Sequence, residues 1–166
     1  DAPSPVAAVV LEDFRWLRGD IKATALLAAV MLRLAARDAG ADEAILQRGG
    51  LLTEAAASNV FVVAGGVVRT PPLAATLLAG ITRDFVLEVL AALDLPVAVE
   101  PVPVTLLDSA TEVWTSSSTR ELVPVTRIDG RPVGGGVPGR LWQRVYPAYR
   151  ERARGEAAVG RFLPCH

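Results

Sequence analysis

The stretch Asp42-Glu43-Ala44-Ile45-Leu46-Gln47-Arg48-Gly49-Gly50-Leu51-Leu52-Thr53 decides the fold class. Two short apolar runs flank a Gly-Gly pair, which predicts a tight β-hairpin. The pattern repeats a few residues on. Asn59 to Val63 and Val67 to Arg69 flank Ala64-Gly65-Gly66, and Pro71-Pro72 ends that second hairpin. A third hairpin signal, Asp129-Gly130, closes a strand over Glu121 to Ile128. Strands are also expected at Phe14 to Arg18, where apolar and charged residues alternate, at Val97 to Glu100 and at Thr111 to Thr115.

Between these runs the period changes to that of helices. Thr24 to Ala39 reads as a helix whose first turns are apolar all round, which implies burial, with Gly40 as its stop. Thr82 to Leu93 places Phe85, Val86, Val89, Leu90 and Leu93 on one face. Val104 to Leu107 reads as a helical turn, and Pro138 to about Arg152 as the last helix. Hairpins mixed with helices on one sheet system define an α+β fold rather than a doubly wound sheet.

The chain has 166 residues, 51% of them hydrophobic and 21% charged, enough to build a core without staples. Its net charge of −1 gives no electrostatic footprint for nucleic acid or an anionic membrane. The apolar run from Ala23 to Leu32 is too short to span a bilayer. Cys165 has no internal disulfide partner, which fits a reducing cytoplasm, and Cys165-His166 reads as a tail rather than a metal site. Residues 1–12, Pro- and Ala-rich, read as a linker from a preceding domain, and 153–166 as a disordered tail.

Four features carry candidate chemistry. Lys22 lies between the Phe14 to Arg18 segment and the first helix; it is either a surface lysine or a nucleophilic amine facing a cleft. Glu54, followed by Ala55-Ala56-Ala57, is a carboxylate among small apolar residues that needs a partner: a heterocyclic N–H, a backbone donor or an arginine. Gly80-Ile81-Thr82 opens a helix, where free N–H groups bind an anion or Thr82 simply caps. Thr115-Ser116-Ser117-Ser118-Thr119 is a hydroxyl run that supplies anion donors or a solvated turn.

The order of these features resembles the fold-type IV, or class-IV, pyridoxal-phosphate aminotransferases. Arg15-Trp16-Leu17-Arg18-Gly19-Asp20-Ile21-Lys22 is similar to the cofactor-lysine segment of D-amino-acid aminotransferases. Thr53-Glu54 with Ser58-Asn59-Val60-Phe61 resembles the glutamate motif of the family, and Leu78 to Arg83 its phosphate turn. Ser118 to Val125 and Arg127 to Gly130 resemble its last strands, so the likeness runs from about Phe14 to Tyr149.

The resemblance implies an α+β hairpin-rich mixed sheet, a pseudo-barrel packed with helices, with residues 13–152 as the pyridoxal 5'-phosphate domain. It implies that Lys22 holds the cofactor covalently and moves the substrate proton, and that Glu54 pairs with the ring nitrogen. Leu78 would pack on the ring, while Ile81, Thr82, Ser117 and Ser118 would hold the phosphate. The implied reaction is transamination between an amino acid, D favoured, and a 2-oxo acid, in a cytoplasmic homodimer. Aminodeoxychorismate lyase is the alternative, branched-chain aminotransferase the next, and a non-catalytic remnant the last. The three alanines stand where the family has glycine and serines. An N-terminal domain supplying a phosphate-binding arginine and substrate contacts would be needed in addition.

Overall fold

The computed structural model describes residues 2–158. Nine strands form one mixed sheet in the order β3-β2-β1-β8-β7-β4-β5-β6, with β9 on the edge of β8. Two Gly-Gly hairpins build its flanks: β2 (Glu43–Arg48) turns into β3 (Leu51–Ala55), and β4 (Asn59–Ala64) into β5 (Val67–Thr70). All four turn glycines have positive φ, from +58° at Gly65 to +81° at Gly50, the region that two-residue hairpin turns require. The middle of the sheet holds β7 (Glu112–Ser117) against β8 (Glu121–Ile128), antiparallel. The short β9 (Arg131–Pro132) follows the Asp129-Gly130 turn back onto β8, and β6 (Val97–Val99) edges β5 in parallel.

The linker expected at residues 1–12 is corrected. Val6–Glu12 is strand β1, parallel to both β2 and β8 in the interior of the sheet. Its continuous Ala/Val run is what a strand with both flanks occupied needs, and Pro3 and Pro5 lie just ahead of the ladder, where no N–H is required.

Alternation along β4 sorts the core. Phe61 and Val63 face α2 (Ile81–Ala92) and α3 (Arg140–Ala158), packing with Trp114, Phe85, Leu90 and Val145. Val60 and Val62 face the other way, into a cluster with Ile45, Val113, Val123 and Val125, closed by the 3-10 turn Val104–Ser109. A smaller cluster seats α1 (Leu27–Asp38) through Leu32 and Ala36 against Ala44 and Leu46.

The helix expected from Thr24 starts at Leu27 and is not buried all round. Leu27, Val30, Met31 and Leu34 are exposed. The last helix continues past residue 152, through Ala158, so the start of the expected tail is helical; residues 159–166, with Cys165 and His166, lie outside the described residues. Among the described residues no helix is long and apolar enough to cross a membrane, and no cluster of metal-ligating side chains exists.

One buried carboxylate fastens α3 to the sheet. Glu112 accepts from the N–H groups of Leu141 (2.8 Å) and Trp142 (2.9 Å) and from Trp114 Nε1 (3.0 Å). It satisfies the otherwise unpaired first turn of α3 and opposes the positive end of its dipole. Glu112→Ala should therefore cost roughly 2–3 kcal/mol, the range for orphaning donors of a charged, buried hydrogen-bond set. The urea midpoint of unfolding checks this, with Glu112→Gln expected to lose less.

Candidate functional site

The segment after β1 decides the site. Phe14 to Arg18 alternates as a strand would, but the structure places no strand there. Phe14, Trp16 and Leu17 are exposed, while Arg15 turns inward. Two buried carboxylates draw it in. Arg15 Nε and Nη2 donate to Oδ1 and Oδ2 of Asp13, each at 2.9 Å, and Nη1 donates to Glu54 Oε1 at 2.5 Å. One guanidinium fork thus serves two carboxylates, a geometry that lysine could not provide.

Asp13 and Glu54 are further tied down. Asp13 accepts from the Thr53 hydroxyl at 2.9 Å and lies 3.4 Å from Arg48 Nη2, which also donates to the carbonyls of Asp13 (3.0 Å) and Arg15 (2.8 Å). Glu54 Oε2 accepts from Asn59 Nδ2 at 3.2 Å and from the Leu78 N–H at 3.1 Å. Asn59 in turn donates to the Leu78 carbonyl at 2.9 Å. Sequence reading left Glu54 a choice of partner; the structure supplies both an arginine and a backbone donor.

Electrostatics separate the two acids. Burial works to raise the Asp13 carboxyl, but hydrogen bonding and charge from Arg15, with the Thr53 hydroxyl, outweigh it and hold the group below its ordinary 3.8. Its contribution to stability is present above that value and lost as pH falls through the depressed one. Glu54 goes the other way. Burial raises it above 4.5, and Arg15 and the Leu78 N–H only partly restore it. Its ionised form costs stability above that range, and protonation relieves the cost as pH falls.

Glu54 borders an open helix start. Gly80 is the N-cap of α2 with no side-chain capping bond, and the first helical bond runs from the Asp84 N–H to the Gly80 carbonyl at 3.1 Å. The N–H groups of Ile81, Thr82 and Arg83 precede that bond. Thr82 is buried but does not cap the helix, so the simpler of its two readings fails. Gly80 packs so closely on Asn59 that no side chain fits there.

The remaining expected residues are placed as follows. Lys22 is exposed, in the irregular segment leading to α1. That segment lies on the Leu78 loop, for a Cβ on Gly19 would sit 2.8 Å from the Thr76 carbonyl. Leu78 is half-buried and Ile81 exposed. Ser117 Oγ accepts from the Arg120 N–H at 3.3 Å, and Ser118 is exposed in the turn after β7. Thus Glu54 meets Leu78 directly and the start of α2 through Asn59, which packs on Gly80; no described contact joins Lys22 or Ser118 to them.

Sequence reading missed Asp13, Arg15, Arg48, Asn59 and Ser116 as site residues. Ser116 is buried, its Oγ has no partner, and it faces Asn59 across the β4–β7 ladder. Arg15 had a signal in the Arg15-to-Lys22 motif, Asn59 in the Ser58-Asn59-Val60-Phe61 motif and Ser116 in the hydroxyl run, whereas Asp13 and Arg48 had none. Of the three alanines, Ala55 and Ala56 are buried and only Ala57 is open, so hydroxyls at the first two would meet core.

Residues 2–128 match the family Amino-transferase class IV, and the chain belongs to that family. It is 42% identical over 153 residues to the D-alanine aminotransferase of Bacillus licheniformis, covering 92% of this chain and 54% of that protein. The D-alanine aminotransferase of Staphylococcus haemolyticus is 36% identical, with coverages of 91% and 54%. Among solved structures, an aminotransferase from Brucella abortus bound to PLP superposes with TM-score 0.84 at 26% identity, over 93% of this chain and 56% of that one. The branched-chain amino acid aminotransferase of Escherichia coli gives 0.79 at 28% identity, over 90% and 52%. The chain spans about half the length of the relatives it matches.

Arg15→Met would leave Glu54 buried without its cation and Asp13 with only Arg48, 3.4 Å away. Such a loss typically costs about 3–5 kcal/mol at neutral pH. Asp13 would lose the main partner that lowers its proton affinity and Glu54 the cation that limits its rise, so the deficit should shrink as pH falls. Urea unfolding of the variant and wild type at pH 7 and pH 4.5 measures this; an equal deficit at both would contradict it.

Proposed function

We propose that this chain is the cofactor-bearing half of a cytoplasmic pyridoxal-phosphate-dependent aminotransferase that moves an amino group from a D-amino acid to a 2-oxo acid. The observation that carries the reading is Glu54: a buried carboxylate held by Arg15, Asn59 and the Leu78 N–H, beside a helix start with unpaired N–H groups. A basic ring nitrogen matches the carboxylate, and a phosphate matches the helix start. The donor set therefore fits the group. When bound, the cofactor supplies an electron sink for the substrate α-carbon and carries the amino group between substrates.

The chain's own residues do the rest. Lys22 is the covalent anchor and, once released, the base that moves a proton at the substrate α-carbon; its exposed position suits a residue that must reach a substrate. Glu54, as a carboxylate, favours a proton on the ring nitrogen, and a cationic partner would relieve the burial that penalises its charge. Leu78 packs against the ring. Ile81, Thr82, Ser117 and Ser118 hold the phosphate. Identity to D-alanine aminotransferases exceeds that to the branched-chain structures, which favours D-amino acids over branched-chain substrates, and both sets of relatives are named as aminotransferases, which favours transamination.

The full protein would add an N-terminal domain and a second subunit. The segment Phe14 to Leu34 exposes nine large apolar side chains, among them Trp16, Leu27 and Met31, a surface that a partner domain or subunit would cover.

The test uses the full-length protein with D-alanine and 2-oxoglutarate. Pyruvate and glutamate should accumulate in equal amounts, and Lys22→Ala should remove roughly all turnover above background. A preference for L-leucine over D-alanine would reject the D-specific reading, and no turnover with either would reject the transaminase.

A further inference from the structure

We propose that Asp13 is a positioning residue that acts through Arg15: by sharing that guanidinium with Glu54, it keeps Glu54 able to hold a protonated ring nitrogen. The inference rests on the cofactor reading above and goes beyond it, since Asp13 touches none of the groups assigned to the cofactor there except through Arg15.

The geometry is specific. Asp13 takes the Nε–Nη2 edge of the Arg15 fork with both oxygens, leaving Nη1 for Glu54. The Asp13 side chain is wholly buried, and Thr53 and Arg48 fix its other directions. Asp13 has no route to solvent and no catalytic target. What it can do is decide how Arg15 is aimed and how much of its charge Glu54 feels.

Charge counting gives the sign. Asp13 and Glu54 carry two negative charges, Arg15 and Arg48 two positive ones, all in a largely dry site. A protonated ring nitrogen at Glu54 adds a third positive charge. Without Asp13 the same proton would face two guanidiniums and a single carboxylate, and Arg15 would be left to Glu54 alone. The ring would give up its proton more readily. Arg48 carries the opposite sign: it lies 3.4 Å from Asp13, its Nη1 is buried without a partner, and removing its charge would make the ring proton easier to keep.

The experiment loads full-length protein with pyridoxal phosphate labelled with 15N at the ring nitrogen and follows that resonance against pH. Asp13→Asn should lower the pH at which the ring nitrogen deprotonates by about one unit, a tenfold change in the equilibrium. Arg48→Gln should raise it, and Asp13→Glu, which keeps the charge, should titrate near wild type. Opposite signs from two neighbours are not what structural damage produces. Unchanged titration in Asp13→Asn, or shifts of the same sign in both variants, would overturn the proposal. If Asp13→Asn does not fold, Arg48→Gln decides alone: an upward shift supports the proposal, no shift or a downward one overturns it. Wild-type protein that takes up no cofactor would instead reject the underlying functional reading.

Discussion

The site depends on a single guanidinium. Arg15 spans Asp13 on the strand side and Glu54 at the end of β3, and the segment that carries it has no other regular structure. Two buried carboxylates on neighbouring elements would repel each other and resist burial; one planar fork with five donors satisfies both. The same cation reaches the Thr76 carbonyl at 3.3 Å, so it also fastens the loop bearing Leu78. From there Asn59 connects Glu54 to that loop and packs under Gly80, where α2 begins. Sheet, loop and helix start are thus held in register by one continuous polar network set against an apolar core.

That arrangement explains an oddity of the outer surface. Pulling Arg15 inward turns Phe14, Trp16 and Leu17 outward, and α1 continues the apolar exposure through Leu27, Val30, Met31 and Leu34. This exposed apolar surface lies beside the candidate cofactor site, since Gly19 in the same segment packs on the Thr76 carbonyl of the Leu78 loop. The residues of β4 and β7 are almost all buried, whereas the segment that carries Lys22 is exposed.

Much of this architecture was legible from local chemistry. Gly-Gly and Asp-Gly turns fix their hairpins because φ > 0 is needed there, and the Phe85-Val86-Val89-Leu90 face fixes α2. β8 runs over Glu121–Ile128 as its alternation predicts. What failed was long-range. β1 is an Ala/Val run beside prolines, and only pairing with two distant parallel strands makes it a strand. Phe14 to Arg18 has a strand's period, but the pull of buried carboxylates on Arg15 overrides it. Glu54, Leu78 and Thr82 stood out as candidate site residues through an ordered motif. Asp13 and Arg48 were not, since an Asp after a strand and an Arg before a glycine turn look like ordinary surface charges.

In the proposed function everything turns on Lys22 as the residue that holds the cofactor. Its most direct test is borohydride reduction of the full-length protein incubated with pyridoxal phosphate, followed by mass spectrometry of its peptides. The phosphopyridoxyl mass is predicted on Lys22, the only lysine in this chain. Modification confined to a lysine outside this chain, or none at all, would contradict the account.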